Sequence, residues 1–579
     1  MNVTQINDIA RNLSLLQPAG SEASYRELSD VTLHDLGIDS IVKKIATKAS
    51  EQEMIKRVLG RMTADRDVAA YRSEVFEDIY RYPALRDRMV ELLDKIDFLR
   101  DYGSFRTDYD GAASTWDLLH RLEEINEYIQ CVEAIHDCLT DVDIKSRGLI
   151  RLRDYIDVLY NDNGFGELKK DIAGLKASTE NLKSVTLGIN LNDRFEAVGI
   201  GLISINSKPF TKAKLLSGFY DKITGRDSVN EGNDWNEDYH FQPVQVEDLK
   251  AVQLMDKANM YSVLAMQPLL AAGVAGVPSG DSSADVMRYM DRIANHMLSI
   301  TVKKLRETLA EHVTVSIQYI TRLIPEFMYY IRWAEYIDDL VARGMKFSGA
   351  VVAGEDHKHE MKAKGIYNLK LASVYTEQHE EIITNDLDFD ADHLVYILTG
   401  ANRGGKTTIT QAVGILFVMA QGGIYVPGDG FEFTPVDAIY THFPADEDKT
   451  MDLGRLGEEC KRFKEIYKEA TEDSLLLLNE TFSTTSFEEG YYIACDAVRA
   501  ILSKGIRTIY NTHMHKLGYD IDELNSDIKS GYKASSLIVE AKEGKRSYKV
   551  KVAPPEGMSY AHDIAVKYGV TLEMLMGDE

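Results

Sequence analysis

The stretch LVYILTGANRGGKTTITQAVGILF, Leu394 to Phe417, decides the fold. An apolar run, a glycine-bearing turn and a helix-forming run follow one another without a gap. Gly400-Ala401-Asn402-Arg403-Gly404-Gly405-Lys406-Thr407 satisfies GxxxxGK[ST] in the strand-loop-helix context that the motif requires. Glycines in such a loop let successive backbone N–H groups converge on anionic oxygens, and the helix that follows presents its positive end to them. Lys406 is expected to reach the β and γ phosphates of a nucleoside triphosphate, and the Thr407 hydroxyl to ligate Mg2+. Thr408 completes the residues expected to hold the nucleotide.

Two more strand ends point to the same place. SLLLLNET carries a buried-strand pattern that ends in Asn479-Glu480, and IRTIYNTHMHKL carries another that ends near Thr512-His513. At the tip of such a strand a carboxylate can orient attacking water, which makes Glu480 the expected general base. The position before it, where a metal-shell Asp is common, is the amide Asn479; its carbonyl oxygen can hold a metal-bound water, with less grip than a charge gives. A phosphate-sensing imidazole fits His513, with His515 a competing candidate. His357 and His359, in DHKHEMK, have no further ligands at matching spacing and read as a solvated charged loop.

Around this motif lies a chain of 579 residues, longer than one hydrophobic core usually supports, so two to four domains are expected. With 44% hydrophobic and 27% charged residues it reads as a folded globular protein. Cys131, Cys138, Cys460 and Cys495 lack zinc spacing and are expected to be free thiols. The N-terminus has no export pattern, and YSVLAMQPLLAAGVAGV is broken by Gln267 and Pro268, so a cytoplasmic protein without a membrane span is expected. The formal net charge of −26 opposes indiscriminate adhesion to nucleic acid but leaves room for a local basic surface. KPFTKAKLLSGFYDKITGR offers one, in Lys208, Lys212, Lys214, Lys222 and Arg226, although a solvated face is the simpler reading of that stretch alone.

Periodicity divides the chain. From about Leu28 to about Leu175 apolar residues recur at helical spacing. NLKSVTLGINLNDRFEAVGIGLISIN then alternates, with a turn at Asn192-Asp193, and predicts a β-hairpin. The polar run Thr224 to His240 reads as a surface excursion, and Met287, Met290, Ile293, Met297 and Ile300 as the packing stripe of a returning helix. After about Asn385, short apolar runs alternate with helical patterns, the signature of a mainly parallel sheet with crossover helices. The expected plan is a mostly α-helical region over 1–180, a β insertion over 181–245, a helical return over 246–380 and a phosphate-loop α/β domain over 381–579.

The order TGANRGGKTT, GIYVPGDGFEFTPVDAIYTHF, SLLLLNETFSTTSFEEG, TIYNTHMHKL resembles the ATPase domain of the MutS family of DNA mismatch-repair proteins. The resemblance implies an ABC-type α/β ATPase domain preceded by a helical lever with a small clamp-like β insertion. By residue it matches Gly400, Asn402, Gly404, Gly405, Lys406 and Thr407 to the nucleotide loop, and Glu480 to the catalytic glutamate. Thr485, Ser486 and Gly490 match a dimer-facing loop, and His513 a switch histidine. It implies ATP and Mg2+ as cofactors, a homodimer through the ATPase domain, and duplex or branched DNA as partner in repair or recombination, with nucleoid association in a bacterium. It also places Lys208 to Arg226 beside the clamp hairpin. Four departures stand against this: a start at the lever, without the mismatch-recognition domain; no serine between Met451 and Cys460; Asn479 for the metal-shell Asp; and an early end at Glu579. They leave open an ABC-class ATPase acting on a protein or RNA assembly, and a nucleotide-binding scaffold with little hydrolysis.

Overall fold

The computed structural model describes residues 12–90, 115–140, 142–179, 184–191, 193–194, 197–206, 274–276, 317–378, 382–400, 404–444, 454–526, 528–542, 545–555, 566 and 568–576. The chain divides into two compact units, one made of Met1–Leu93, Ile135–Ile156 and Tyr319–Glu579, the other of Asp94–Ala134 and Asp157–Gln318.

The first unit is built on a six-stranded sheet. In chain order its strands are β1 (His393–Thr399), β2 (Ile439–His442), β3 (Leu475–Asn479), β4 (Arg507–Asn511), β5 (Lys533–Lys542) and β6 (Lys545–Val552). Across the sheet they run β2-β3-β4-β1-β5-β6, parallel throughout except for the last, antiparallel pair. Every residue of β3 and β4 is buried, and so is all of β1 after His393. That is why these strands read as unbroken apolar runs: a parallel sheet covered on both faces offers no solvent side for alternation. Because the central strands are parallel, Thr399, Asn479 and Asn511 all lie at one edge, and the register pairs Asn479 with Asn511 and Leu398 with Asn511. An open α/β sheet binds its ligand at this carboxyl edge.

Helix α2 (Lys406–Gln421) leaves that edge, with most of its residues buried on all sides. Such a helix cannot be a surface element and must be enclosed. A smaller four-stranded sheet covers it, with Phe417 edge-on to both Phe431 and Phe433. Helix α1 (Arg66–Arg81) starts at Asp65, whose carboxylate caps it by accepting from Val68 N at 3.1 Å. Its Arg72 is 4% exposed and donates to Leu16 O and, at 2.8 Å, to Gln421 O at the far end of α2. Gln421 donates in turn to Thr63 O and Val436 O, and its Oε1 accepts from Val436 N. On the other side of the sheet, α3 (Phe487–Lys504) is capped by Ser486 and ends at Gly505 with φ 75°, whose N–H reaches Ile501 O and Leu502 O.

Among the described residues, the helical spacing from Leu28 to Leu175 corresponds to a series of helices through Asn163–Thr179, interrupted by the two-residue strand Arg61–Met62, which pairs with Arg26–Glu27. In the second unit the expected hairpin pairs Ser184–Leu191 with Ala197–Asn206, and a third strand that the sequence reading missed, Val274–Gly276, joins the latter. Lys208, Lys212, Lys214, Lys222, Arg226, the run Thr224 to His240 and the stripe from Met287 to Ile300 lie outside the described residues, as do Ala401, Asn402 and Arg403. Cys131, Cys138, Cys460 and Cys495 are free thiols. Among the described residues no helix is long and apolar enough to cross a membrane.

Candidate nucleotide site

A cleft of about 850 Å³ opens at the carboxyl edge of the sheet, lined by Gly404 to Thr408, Glu480, His513, Asn368, Ile383 and Tyr548 among others. Gly405, at φ 92°, is the residue on which the chain turns into α2, a conformation that an L side chain rarely adopts. Lys406 follows at once and is 5% exposed. Its Nζ donates to Gly400 O at 3.0 Å, which turns the side chain back toward the end of β1. Burial pushes its ammonium pKa down, against the pull of the Glu480 carboxylate. A buried cation of this kind is stabilised by an incoming polyanion.

Glu480 leaves β3 with φ 55°, and Phe482 follows at φ 64°. Two left-handed non-glycine residues in three make this a strained turn, a feature that concentrates at functional sites. It is held from four directions. Glu480 N donates to Asn511 O at 2.8 Å, and Tyr510 Oη donates to Thr481 O at 2.8 Å. Thr481 Oγ1 lies 3.0 Å from His442 Nδ1, and the Phe482 side chain is buried. The turn therefore presents the Glu480 side chain to the cleft, where Oε1 sits 2.6 Å from His513 Nε2.

Sequence reasoning left His513 and His515 as rivals, and the structure separates them. His513 touches Glu480 and lines the cleft. His515 opens a short helix, half-buried; burial first, then Lys406 and His513, push its pKa down, and its Nδ1 is buried without a hydrogen-bond partner. His357 is exposed and paired with Glu360, but His359 is not solvated: it is 4% exposed at φ 61°. The sequence reading of that loop was wrong for His359, which the neighbouring strand of Met361 to Ile366 carries inward. No cluster of metal-ligating side chains occurs among the described residues.

The positions expected to hold Mg2+ converge. Thr407 Oγ1 donates to Asn479 Oδ1 at 3.1 Å. A third residue, absent from the sequence reading, joins them: Asn511 Nδ2 donates to Asn479 Oδ1 in a short hydrogen bond and lies 3.3 Å from Thr407 Oγ1. Asn511 is fully buried, and its own Oδ1 has no partner. Oxygen donors, one hydroxyl and two amide carbonyls, with one of them left orphaned, fit a hard divalent cation and its water. The signal in the sequence was a polar residue closing an apolar strand, the same as at Asn479. Tyr548 was also missed. It lies on β6 at φ 56°, beside Gly405, and its carbonyl accepts from Asn385 Nδ2 at 3.1 Å.

Comparison with known proteins gives this architecture its relatives. The family model for MutS domain V matches residues 396–570, the stretch that holds the loop, both strand tips and the His513 segment. The model for the MutS2 N-terminal domain matches residues 64–343. The chain belongs to the MutS family. It is 27% identical over 300 residues to a protein named Endonuclease MutS2 of Caldicellulosiruptor bescii, covering 51% of this chain and 37% of that one. A DNA mismatch repair protein MutS of Chlorobium chlorochromatii is 29% identical over 197 residues, 34% of this chain and 22% of the relative. A DNA mismatch repair protein MutS 2 of Halobacterium salinarum is 30% identical over 220 residues, 36% and 26%. The chain thus spans well under half the length of the curated MutS relatives it matches. Mixed α/β sheets with parallel strands and a helical region fit the ABC-type plan that the resemblance implied.

Proposed function

We propose that this MutS-family chain binds and hydrolyses ATP with Mg2+ and couples the nucleotide state to DNA binding in repair or recombination. The observation that carries the reading is that Lys406 and the Glu480–His513 pair, far apart in sequence, line one cleft at the end of a phosphate loop. In this reading the loop amides and Lys406 bind the phosphates and offset charge that develops on them. Glu480 accepts a proton from the attacking water, and His513, hydrogen-bonded to it, fixes its carboxylate. Thr407 and Asn479 would hold Mg2+, which would supply Lewis-acid neutralisation of the phosphate oxygens.

Two copies are proposed to meet across this face. Phe487 and Tyr492, at the start of α3 just after Thr485 and Ser486, are 54% and 71% exposed, a degree of apolar exposure that suits an interface. The DNA contact is assigned to Lys208, Lys212, Lys214, Lys222 and Arg226, and the protein to the cytoplasm. The amide at Asn479 favours a second reading in which hydrolysis is slow and the chain acts chiefly as a nucleotide-dependent scaffold.

Glu480→Gln separates these readings. The enzyme reading expects hydrolysis to fall at least ~100-fold while ATP binding persists. Turnover that is absent in the native protein, or unchanged by the substitution, refutes it. Salt-dependent binding to duplex and branched DNA, compared with RNA and measured with and without ATP, then tests the coupling.

A further inference from the structure

We propose that Asn511 is a positioning residue for the cation that accompanies the nucleotide, forming with Asn479 an uncharged amide pair that does the work of a metal-shell carboxylate. The inference rests on the nucleotide reading above. It starts from the three-way contact of Asn511 Nδ2, Asn479 Oδ1 and the Thr407 hydroxyl. In that arrangement Asn479 Oδ1 accepts from both neighbours. The Oδ1 of Asn511 is the acceptor left over, buried and without a donor.

An orphaned carbonyl oxygen in a fully buried residue is costly, and native folds keep few of them. At this place the missing donor has an obvious chemistry. Thr407 is the hydroxyl expected on the metal, and Asn511 lies within hydrogen-bonding distance of it. A water on a divalent cation is a strong donor, and Asn511 Oδ1 would accept from it.

The same residue also reaches the hydrolytic machinery, since its main-chain carbonyl holds the N–H of Glu480 in the strained turn. Asn511 thus ties the metal shell to the general base through one side chain and one peptide group. A structural spacer would account for the Nδ2 contacts but would leave the Oδ1 unexplained.

The chemistry sets the expected behaviour. Two amides offer oxygen without charge, so the cation is held chiefly by the phosphates, and Mg2+ is needed at higher concentration than with a carboxylate in place. The test uses the full chain and a fluorescent N-methylanthraniloyl ADP, with Mg2+ titrated, and Mn2+ paramagnetic resonance as a second readout. Asn511→Ala is expected to raise the Mg2+ concentration for half-maximal nucleotide binding about fivefold to tenfold. Asn479→Asp exchanges one NH2 for an oxygen, is the milder change for folding, and is expected to lower that concentration about tenfold or more. In Asn511→Ala the Mn2+ spectrum of the nucleotide complex should change. An Mg2+ midpoint in Asn511→Ala equal to that of the native protein would overturn the inference while leaving the nucleotide reading intact. A native protein that binds no nucleotide at any Mg2+ concentration would overturn both.

Discussion

Acid should loosen the strand tip that carries Glu480, through His442. This residue closes β2, is 3% exposed, and meets Thr481 Oγ1 at 3.0 Å and Glu459 O at 3.2 Å through its two ring nitrogens. Burial first, and then the Arg462 guanidinium, lower its pKa from 6.5 to about 4. The folded-state value lies below the unfolded one, so between them the unfolded chain binds the extra proton. Stability is therefore complete above the unfolded value and is lost as pH falls toward about 4. With these two values the loss amounts to about 2 kcal/mol between about pH 7 and about pH 5, and approaches about 3 kcal/mol near about pH 4. The assay is urea unfolding across that range for the native protein and for His442→Gln, which keeps an N–H for Glu459 O but cannot titrate. His359 and His515, also pushed down by burial, contribute equally to both proteins and cancel in the difference. The variant is expected to start less stable at neutral pH and to fall less steeply, by the same 2 kcal/mol or so. Parallel curves for the two proteins would refute the assignment.

Two substitutions away from the cleft probe the scaffold. Arg507 is fully buried, with its guanidinium donating to Thr434 O at 2.8 Å and to Pro435 O at 3.2 Å; burial brings its pKa down to about 10. Arg507→Ala should cost about 3 kcal/mol or more in denaturant unfolding, because it leaves buried carbonyls unpaired as well as a void. Gly423 has φ +80°, and a Cβ there would stand 2.5 Å from the backbone carbon of Arg72. Gly423→Ala should destabilise by about 2 kcal/mol or more, seen as a lowered melting temperature, whereas an unchanged melt would show that this approach is not needed.

The engine of the fold was legible because its signals are local. The apolar runs of β1, β3 and β4, the glycine loop and the polar residues that close two of the strands are each written within a few consecutive residues. So was the hairpin, whose alternation has a period of two. What escaped depends on pairings between distant segments. Nothing near Asn511 says that its amide will face Asn479, 32 positions earlier; that follows from the register of two parallel strands. Tyr548 enters the cleft only because β6 folds back on β5. That Arg72, in a helix over 300 residues before α2 ends, reaches the carbonyl of Gln421 is likewise a matter of packing, invisible to periodicity. His359 was misread for the same reason, since a charged neighbourhood in sequence does not say which single side chain turns inward.

The two ends of α2 are gripped differently. One begins at Lys406 beside the cleft; the other is clasped by Arg72 on Gln421 O and by Tyr329, whose hydroxyl donates to Gly422 O at 2.9 Å. With 16 residues at about 1.5 Å each, the rod is about 24 Å long, so a tilt of about 5° at the phosphate end sweeps its tail through about 2 Å. A movement too small to break a hydrogen bond at Lys406 is thereby enlarged to the scale of a side-chain contact where α1 and the helix Ile317–Ala342 take hold. Occupancy of the cleft has a stiff, mostly buried route to helices that form no part of its lining.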